Sequence, residues 1–305
     1  MARILITGAN GLIGSELSNH LVNNGNDVVH LSRIKKSNSS NSFVWDLENN
    51  FIEEGTLNDV DYIVHLAGAG IADKRWSRKR KKEIIDSRIN SSELLFQEIK
   101  KMDVKPKAFI SASAIGFYGA ITSENIFNEN DPPSNDFQGE VCKLWEGSSR
   151  QFEHLGIRTV QLRFGVVLST KGGALTKMLL PTKLGLGSAL GTGKQFMPWI
   201  HINDAIQIIE KAIKDEEIKR AYNVVSPFYT TYEDFAKTLA KILNRPYFMN
   251  NVPSILLKIL LGEMSEIVLE GSRISPQKII NTGYEFQFSN LHKALSDILT
   301  NYSPS

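Results

Sequence analysis

The chain has 305 residues, which is enough for a large buried core. Its 42% apolar and 22% charged residues are typical of a globular protein and argue against a disordered chain. A net charge of +2 gives no global reason to expect a nucleic-acid or membrane partner, and the single cysteine excludes a disulfide framework or a cysteine-rich metal site.

Short apolar runs alternate with longer amphipathic runs in the first half of the chain. Residues 3–7 and 27–31 are predicted strands, and residues 11–24 between them form a predicted helix. Alternation of strand and helix predicts an α/β protein with a parallel sheet and right-handed crossovers. The further predicted elements of this half are strands at 61–67, 107–113 and 159–168 and a charged helix over about 77–102.

The composition changes after residue 168. Residues 171–193 are rich in glycine and predict a loop or a set of short turns. We therefore predict a first domain over residues 1–168, to which 195–225 return, and a smaller, discontinuous C-terminal substrate lobe over 169–194 and 226–305. The later predicted elements are helices near 203–214, 231–243, 252–261 and 291–299 and a strand near 221–225.

A glycine motif lies between the first predicted strand and the first predicted helix. Glycine at these places makes a tight turn, lets the backbone approach a pyrophosphate and lets helix and strand pack closely. The start of the helix adds free N–H groups and a positive dipole end. The motif therefore predicts a dinucleotide site in a Rossmann-type, doubly wound parallel sheet. Its predicted cofactor-binding residues are Gly8, Asn10, Gly11, Leu12, Ile13 and Gly14.

The end of the second predicted strand indicates which dinucleotide binds. NAD-preferring Rossmann proteins place a carboxylate there, whereas this strand ends in Ser32-Arg33. A guanidinium suits a 2′-phosphate because it forms paired, charged hydrogen bonds. We therefore expect NADP(H) rather than NAD(H), with Ser32 and Arg33 in the site. The alternative is that Arg33, with Lys35 and Lys36 behind it, is an exposed loop cation.

Several motifs resemble the extended short-chain dehydrogenase/reductases. They are the GxxGxxG spacing, His65-Leu66-Ala67-Gly68, Ser111-Ala-Ser113 followed by Tyr118-Gly119, and the segment from Trp199 to Asp204. Further strings resemble one subgroup, the NAD(P)-dependent epimerase/dehydratase-like "epimerase family" proteins with their own DUF1731-like C-terminal domain. The resemblance runs from about residue 2 to 299. These strings include Lys74-Arg75-Trp76, Trp145-Glu146, Gly172-Gly173 and Met197-Pro-Trp.

The resemblance assigns further cofactor-binding positions. It implies that Leu66-Ala67-Gly68 lies along the cofactor and that Ser111 belongs to the strand that carries the active-site hydroxyl. It also implies that Asp46 contacts the adenine edge, with capping of the following turn as the alternative. Arg88 stands where many relatives carry asparagine, so we expect it to face the cofactor phosphates or a substrate anion.

The proton-transfer pair of this class is missing from its expected place. A Tyr-x-x-x-Lys pair puts both side chains on one helix face, where the lysine lowers the phenol pKa and the tyrosine passes the proton. With Glu146 aligned on the glutamate of the family, Gln138 and Cys142 occupy the two positions. Lys143 is the next residue along, turned by about 100° around the helix.

Ser113 and Tyr118 remain the candidate catalytic residues. Either could instead be structural, Tyr118 as a buried tyrosine with a satisfied hydroxyl. The favoured hypothesis is an NADP(H)-binding oxidoreductase or epimerase-like protein acting on a small polar, for instance nucleotide-sugar-like, substrate. The alternative is a catalytically reduced NADP(H)-binding regulatory protein.

A nucleic-acid binder is a third hypothesis, resting on seven cations within residues 74–82. The run opens a helix that continues with acidic residues, so a solvated helix face is the preferred interpretation. The six histidines show no metal-ligand spacing, and we expect no metal. The apolar run 255–261 is too short to span a bilayer, and no signal-peptide pattern is visible. We expect a cytoplasmic protein with a small-molecule substrate, no nucleic acid and no membrane partner, and leave a homodimer open.

Overall fold

The computed structural model describes residues 1–34, 41–247 and 251–300. Its strands are short, and several end where a glycine or an asparagine begins the next turn. In chain order the strands are β1 (Arg3–Thr7), β2 (Asp27–Ser32), β3 (Ser42–Asp46), β4 (Phe51–Ile52), β5 (Tyr62–His65), β6 (Ala108–Ala114), β7 (Ile126–Phe127), β8 (Arg158–Phe164), β9 (Val166–Leu168), β10 (Trp199–His201), β11 (Arg220–Val224) and β12 (Arg273–Ile274).

The helices are mostly amphipathic, and several of them begin at a side-chain cap. Ser77, Asp136 and Thr231 each accept a hydrogen bond from a backbone N–H in the first turn, which satisfies one of the free donors there. The helices are α1 (Leu12–Asn23), α2 (Arg78–Lys100), α3 (Phe137–Arg150), α4 (Ala174–Lys183), α5 (Ile202–Lys214), α6 (Tyr232–Ile242), α7 (Ser254–Leu261), α8 (Glu266–Leu269), α9 (Gln277–Ile280) and α10 (Leu291–Thr300).

The central sheet has the strand order β11-β8-β6-β5-β1-β2-β3-β4. Every pairing from β11 to β3 is parallel, and β4 adds an antiparallel edge. The strand order reverses between β1 and β5, because the chain builds outward from β1 first in one direction and then in the other. The prediction of a Rossmann-type, doubly wound α/β sheet is therefore confirmed, and ligands of such sheets bind at this reversal, beyond the carboxyl ends of the strands.

Both faces of the sheet are buried, which explains the continuous apolar runs. Successive side chains of β1 point to opposite faces, so Ile4 and Ile6 join one core cluster and Leu5 joins another. The first cluster contains residues of α1 and α5, and the second contains Leu95 and Ile99 of α2. A parallel sheet covered by helices on both sides is the expected result.

Two sequence predictions need correction. The predicted strand over 159–168 is divided at Gly165, where a Cβ would lie 2.5 Å from the carbonyl oxygen of Pro198. The chain leaves the main sheet there, and β9 pairs with β10 in a separate two-stranded sheet. The glycine-rich stretch 171–193 is not all loop, because α4 forms between its glycines and buries Leu175 and Leu179.

A third core cluster lies outside the main sheet. It joins α4, α6 and α10 through side chains such as Leu175, Phe235 and Leu295. By contrast, β11 pairs with β8 and forms the edge of the main sheet. Among the described residues, no helix is both long and apolar enough to cross a membrane.

Candidate functional site

The loop between β1 and α1 packs tightly against the start of the β5–α2 connection. Gly8 has a φ of +69°, and a Cβ on it would lie 2.8 Å from the carbonyl carbon of Leu66. A Cβ on Gly14 would lie 2.4 Å from the carbonyl oxygen of Gly8. Gly11 differs, because it is exposed and a Cβ on it would meet only that same oxygen, at 3.2 Å. Gly8 and Gly14 are thus required by packing, while Gly11 leaves the outer side of the loop open.

The first turn of α1 presents N–H groups that the helix itself does not use. The first bond of the helix runs from the N–H of Ser15 to the carbonyl of Gly11, at 3.0 Å. The amides of Leu12, Ile13 and Gly14 precede it and have no carbonyl within the helix to bind. The cap is Gly11, which has no side chain to satisfy them. This glycine-capped helix start, beside the reversal point of the sheet, fits a diphosphate.

A chain of buried hydrogen bonds fixes the backbone opposite the loop. The Thr7 hydroxyl accepts hydrogen bonds from the N–H groups of Leu66 and Ala67, both at 3.2 Å, so it donates its own proton to Nδ1 of His65, at 2.8 Å. His65 then carries its proton on Nε2, 3.1 Å from the hydroxyl of Ser91. Burial, and secondarily the charge of Arg88, lower the pKa of His65 to about 3, so the ring is neutral.

The carboxyl end of β2 carries the expected cofactor-selecting side chains. The Ser32 hydroxyl donates to the carbonyl of Ile34, at 2.6 Å, and Arg33 is exposed. Lys35 and Lys36, which the sequence placed behind Arg33, lie outside the described residues. The position of Arg33 leaves its guanidinium accessible to a ligand at this end of the sheet.

Asp46, at the end of β3, caps a turn. Its carboxylate accepts hydrogen bonds from the N–H of Glu48, at 2.9 Å, and from the N–H and side-chain amide of Asn49. These bonds, led by the one from the Asn49 side chain, lower the pKa of Asp46. Asp46 therefore caps the turn that follows β3, which was the alternative role expected for it. Its contact with the adenine of a cofactor stays a prediction.

Ser113 belongs to a buried charged network. Its hydroxyl donates to Oε1 of Glu146, at 2.8 Å. The guanidinium of Arg163 binds both oxygens of the same carboxylate, with Nε at 2.7 Å and NH2 at 2.9 Å. Glu146 and Arg163 are each 3% exposed, so the ion pair is almost completely removed from water.

Tyr118 is tied to the other side of this network. Its hydroxyl accepts from NH1 of Arg163, at 2.8 Å, and donates to the side-chain oxygen of Asn223, at 2.7 Å. Burial raises the pKa of Tyr118 to about 12, although the charge of Arg163 acts in the opposite direction. The hydroxyl is thus fully engaged inside the protein, and the catalytic role predicted for Tyr118 and Ser113 stays a prediction.

Sequence reasoning missed Arg163 and did not connect Asn223 or Glu146 to Ser113. A signal for Arg163 was present, because it is a charge between Leu162 and Phe164 in a predicted strand, and buried charges are paired in folded proteins. Its partners were not visible, since Glu146 comes from α3 and Tyr118 from the turn after β6.

Gln138 and Cys142, on α3, both lie against the turn that follows β6. A Cβ on Gly116 would lie 3.3 Å from the side-chain oxygen of Gln138 and 3.7 Å from Sγ of Cys142. Burial, and then the charge of Glu146, raise the pKa of Cys142 to about 12. Cys142 therefore stays a neutral thiol, which donates weakly to the carbonyl of Ala114 at 3.6 Å.

The remaining predicted positions lie just after β5, within β6 and in the glycine loop after β1. Gly68 is exposed, and Leu66 and Ala67 are half-buried. Ser111 is fully buried and donates to the carbonyl of Ala112, at 2.9 Å. Asn10 is exposed at the tip of the glycine loop.

The helix α4, in the segment predicted to belong to the C-terminal lobe, lies close to this edge of the sheet. A Cβ on Gly173, which caps α4, would lie 3.3 Å from Cδ2 of Leu12 in the phosphate loop. Lys177 donates to the carbonyl of Ala72, at 3.1 Å, in the segment after β5. The helix α4 therefore lies beside the phosphate loop and the segment after β5, and the division into a first domain and a C-terminal substrate lobe stays a prediction.

Much of the basic run 74–82 is paired with carboxylates. NH1 of Arg80 lies 2.9 Å from Glu83, and Lys81 lies 2.5 Å from Glu263. Lys82 pairs with Asp86 one turn along α2. Arg80 is buried whereas Lys82 is exposed, so the preference for a solvated helix face over a nucleic-acid surface stays a prediction.

Two family models match the chain. The model for the NAD dependent epimerase/dehydratase family matches residues 4–225, and a domain of unknown function, DUF1731, matches residues 252–298. Epimerase family protein YfhF of Bacillus subtilis is 37% identical over 298 residues, 97% of each chain. These matches cover both the sheet domain and the C-terminal lobe.

Solved structures of proteins with similar names also match the chain. Human epimerase family protein SDR39U1, crystallised with NADPH, superposes with a TM-score of 0.89 at 33% identity, over 98% of this chain and 100% of that chain. A nucleoside-diphosphate sugar epimerase from Corynebacterium glutamicum has a TM-score of 0.79 at 28% identity, over 98% of this chain and 58% of that one. The chain therefore belongs to the NAD-dependent epimerase/dehydratase family, and carries the DUF1731 domain at its C-terminal end.

Proposed function

We propose that this chain binds NADP(H) and acts as an oxidoreductase or epimerase on a small polar, nucleotide-sugar-like substrate beside the phosphate loop. The observation that carries the proposal is the open, glycine-capped start of α1 at the reversal point of the sheet. The family match and the sugar-nucleotide relative support the reaction class. The NADPH-containing human relative supports the choice of cofactor.

Each part of the chain has a distinct task in this proposal. The free amides of the first α1 turn bind the diphosphate, and Arg33 binds the 2′-phosphate through charged hydrogen bonds. The Thr7–His65 hydrogen bonds hold the backbone at Leu66 and Ala67 beside the bound molecule. When bound, the cofactor supplies or accepts a hydride.

One observation favours the second candidate, a catalytically reduced NADP(H)-binding regulatory protein. The hydroxyl of Tyr118 already accepts a hydrogen bond from Arg163 and donates one to Asn223. Burial raises the pKa values of both Tyr118 and Cys142 to about 12. Neither group is suited to exchanging a proton near neutral pH, where a general acid or base works best with a pKa close to the operating pH.

Cofactor binding is tested by Gly11→Val. The added side chain occupies the open side of the phosphate loop, so NADPH affinity should fall at least about tenfold, or roughly 1.4 kcal/mol, with the fold kept. Gly147→Ala is the matched control, since a Cβ there meets nothing within 4 Å, and it should bind NADPH like the parent. Unchanged NADPH binding by Gly11→Val would refute the proposed loop function.

A turnover assay distinguishes an NADP(H)-dependent enzyme from an NADP(H)-binding regulatory protein. Sugar nucleotides and small carbonyl compounds are screened with bound NADP(H), first by thermal shift and then by the absorbance of the reduced nicotinamide. For an enzyme, Ser113→Ala should lower kcat with NADPH affinity unchanged. Ligand binding with no turnover for any bound compound would favour the regulatory protein.

A further inference from the structure

The helix α7 exposes large apolar side chains on most of its circumference. Ile255 is 65% exposed, Leu256 46%, Ile259 65% and Leu260 58%. Single exposed apolar residues are common on protein surfaces, but a contiguous group of them marks a contact with another molecule or with a membrane. The described part of the chain leaves this group uncovered, so α7 offers a surface to a partner.

The apolar side chains lie on the side of α7 that points away from the protein. Leu257 is buried and Leu261 packs against a core cluster, so these two side chains mark the inner side of the helix. At about 100° per residue, Ile255, Leu256 and Ile259 fall on the opposite side, which we call the outer side of α7. The exposed group is therefore one continuous apolar face.

Exposed cations lie beside the C-terminal end of α7. A Cβ on Gly262, which follows α7 directly, would lie 3.0 Å from NH2 of Arg75. Four cations of the run 74–82 are exposed and lie more than 4.0 Å from every carboxylate of the described residues: Lys74, Arg75, Arg78 and Lys79. These four cations and the outer side of α7 come from distant parts of the sequence and together form what we call the basic–apolar surface.

The carboxylates near α7 lie at the border of this surface. Glu263 is paired with Lys81, at 2.5 Å. Glu266 and Glu270 line a pocket together with Lys258, which projects from the flank of α7, about 100° away from Ile259. The carboxylates therefore adjoin the apolar outer side but do not interrupt it.

We propose that the basic–apolar surface binds an anionic lipid bilayer. The outer side of α7 lies in the headgroup region, and the four cations lie against the lipid phosphates. The helix rests on the membrane without crossing it, because its eight residues extend only about 12 Å, against a hydrocarbon core of about 30 Å. This assignment is independent of the proposed function and replaces the expectation that the chain has no membrane partner.

The observations favour a lipid surface over a macromolecular partner. A stable protein–protein interface takes about 20–30 residues from each side, whereas the apolar part of this surface is one helix of two turns. A nucleic acid would pair with the cations but would leave the outer side of α7 without an apolar partner. An anionic bilayer supplies both phosphates and an apolar layer within the reach of one helix.

Co-sedimentation with vesicles of phosphatidylcholine and phosphatidylglycerol, mixed at about 7:3, tests the proposal. The parent should bind these vesicles, and should bind vesicles of phosphatidylcholine alone at least about tenfold more weakly. The double variant Ile255→Ser, Ile259→Ser should weaken binding to the anionic vesicles at least about tenfold. The matched control is Val22→Ser, Val104→Ser, which removes exposed apolar side chains outside the surface and should bind like the parent.

The cations are tested in the same way. Lys74→Gln with Lys79→Gln should weaken binding to the anionic vesicles at least about tenfold and reduce its dependence on salt. Lys100→Gln with Lys219→Gln is the matched control, because these exposed lysines lie at the amino-terminal end of the sheet, before β6 and β11. The melting temperature and NADPH affinity of each variant are recorded, and both should equal those of the parent.

A label on the helix detects insertion directly. Ile259→Cys carrying an environment-sensitive fluorophore should shift its emission to shorter wavelength on the anionic vesicles, whereas the same label on Val104→Cys should not. The native Cys142 is buried and does not compete for the label. A parent that does not bind the anionic vesicles, an isoleucine variant that binds like the parent, or an unshifted label at position 259 each overturns the assignment. So does a dimer in sedimentation velocity that the isoleucine variant abolishes while the parent ignores vesicles, since α7 would then be a contact between copies of the chain.

Discussion

Acidification should destabilise the protein through His65, the ring that supports the backbone at Leu66 and Ala67. Burial lowers the pKa of His65 from 6.5 to about 3 in the folded chain. The unfolded chain therefore takes up a proton at a higher pH than the folded one. The resulting stability is fully present above pH 6.5 and is lost as the pH falls from there towards 3. Protonation would also place a donor on Nδ1 against the hydroxyl proton of Thr7.

The size of the effect follows from the separation of the two pKa values. A pH of 5 is about 1.5 units below the pKa of the histidine in the unfolded chain, while the folded-state ring is still neutral at that pH. The free energy of unfolding should therefore be about 2 kcal/mol lower at pH 5 than at pH 7. The loss should approach about 4–5 kcal/mol near pH 3. A few kcal/mol is a large part of the stability of a typical domain.

Urea unfolding at pH 7, 6 and 5 measures this loss. The comparison is with His65→Asn, whose amide can still bond to Thr7 but does not titrate in this range. Other titratable groups are common to both proteins, so their contributions cancel in the difference. The parent should lose about 2 kcal/mol more than the variant between pH 7 and pH 5. Parallel pH dependences in the two proteins would refute the assignment of this loss to His65.

Three further predictions concern the site and its support. NADPH should bind the parent at least about tenfold more tightly than NADH, and Arg33→Ala should remove most of that preference; equal affinities in the parent, by fluorescence titration, would contradict the choice of NADP(H). Glu146→Gln leaves Arg163 buried without its counter-ion and should cost about 3–5 kcal/mol in urea unfolding, a loss below about 1 kcal/mol being evidence against the pair. Gly14→Ala puts a Cβ 2.4 Å from a backbone oxygen and should lower both the melting temperature and NADPH affinity, whereas an unchanged melting temperature would show that the loop can shift freely.

The strand–turn–helix unit that forms the candidate cofactor site could be predicted from sequence because its signals are local. A strand, a glycine turn and the start of a helix follow one another between Arg3 and Asn23, and each segment carries its own pattern. The end of β2 likewise sits directly beside Arg33. Such local signals do not depend on which distant segments of the chain pack against them.

The helix α4 was missed for the opposite reason. Its sequence is short, contains Pro181 and lies between glycines that indicate turns. The helix buries only Leu175, Leu179 and Thr182, so its apolar periodicity is weak. Packing against α6, which is distant in sequence, stabilises it together with contacts to β9, and tertiary contacts of this kind override local propensity.

The buried network around Ser113 shows what long-range assembly does to a predicted catalytic residue. Its members come from β6, the turn at Tyr118, α3, β8 and β11, so no spacing along the chain could reveal them. The single hydroxyl proton of Ser113 is already donated to Glu146. Towards a ligand, Ser113 can therefore accept a hydrogen bond but cannot donate one without breaking the bond to Glu146. A substrate hydroxyl is the natural complement of such an acceptor, which makes Ser113 better placed to orient a substrate than to protonate it.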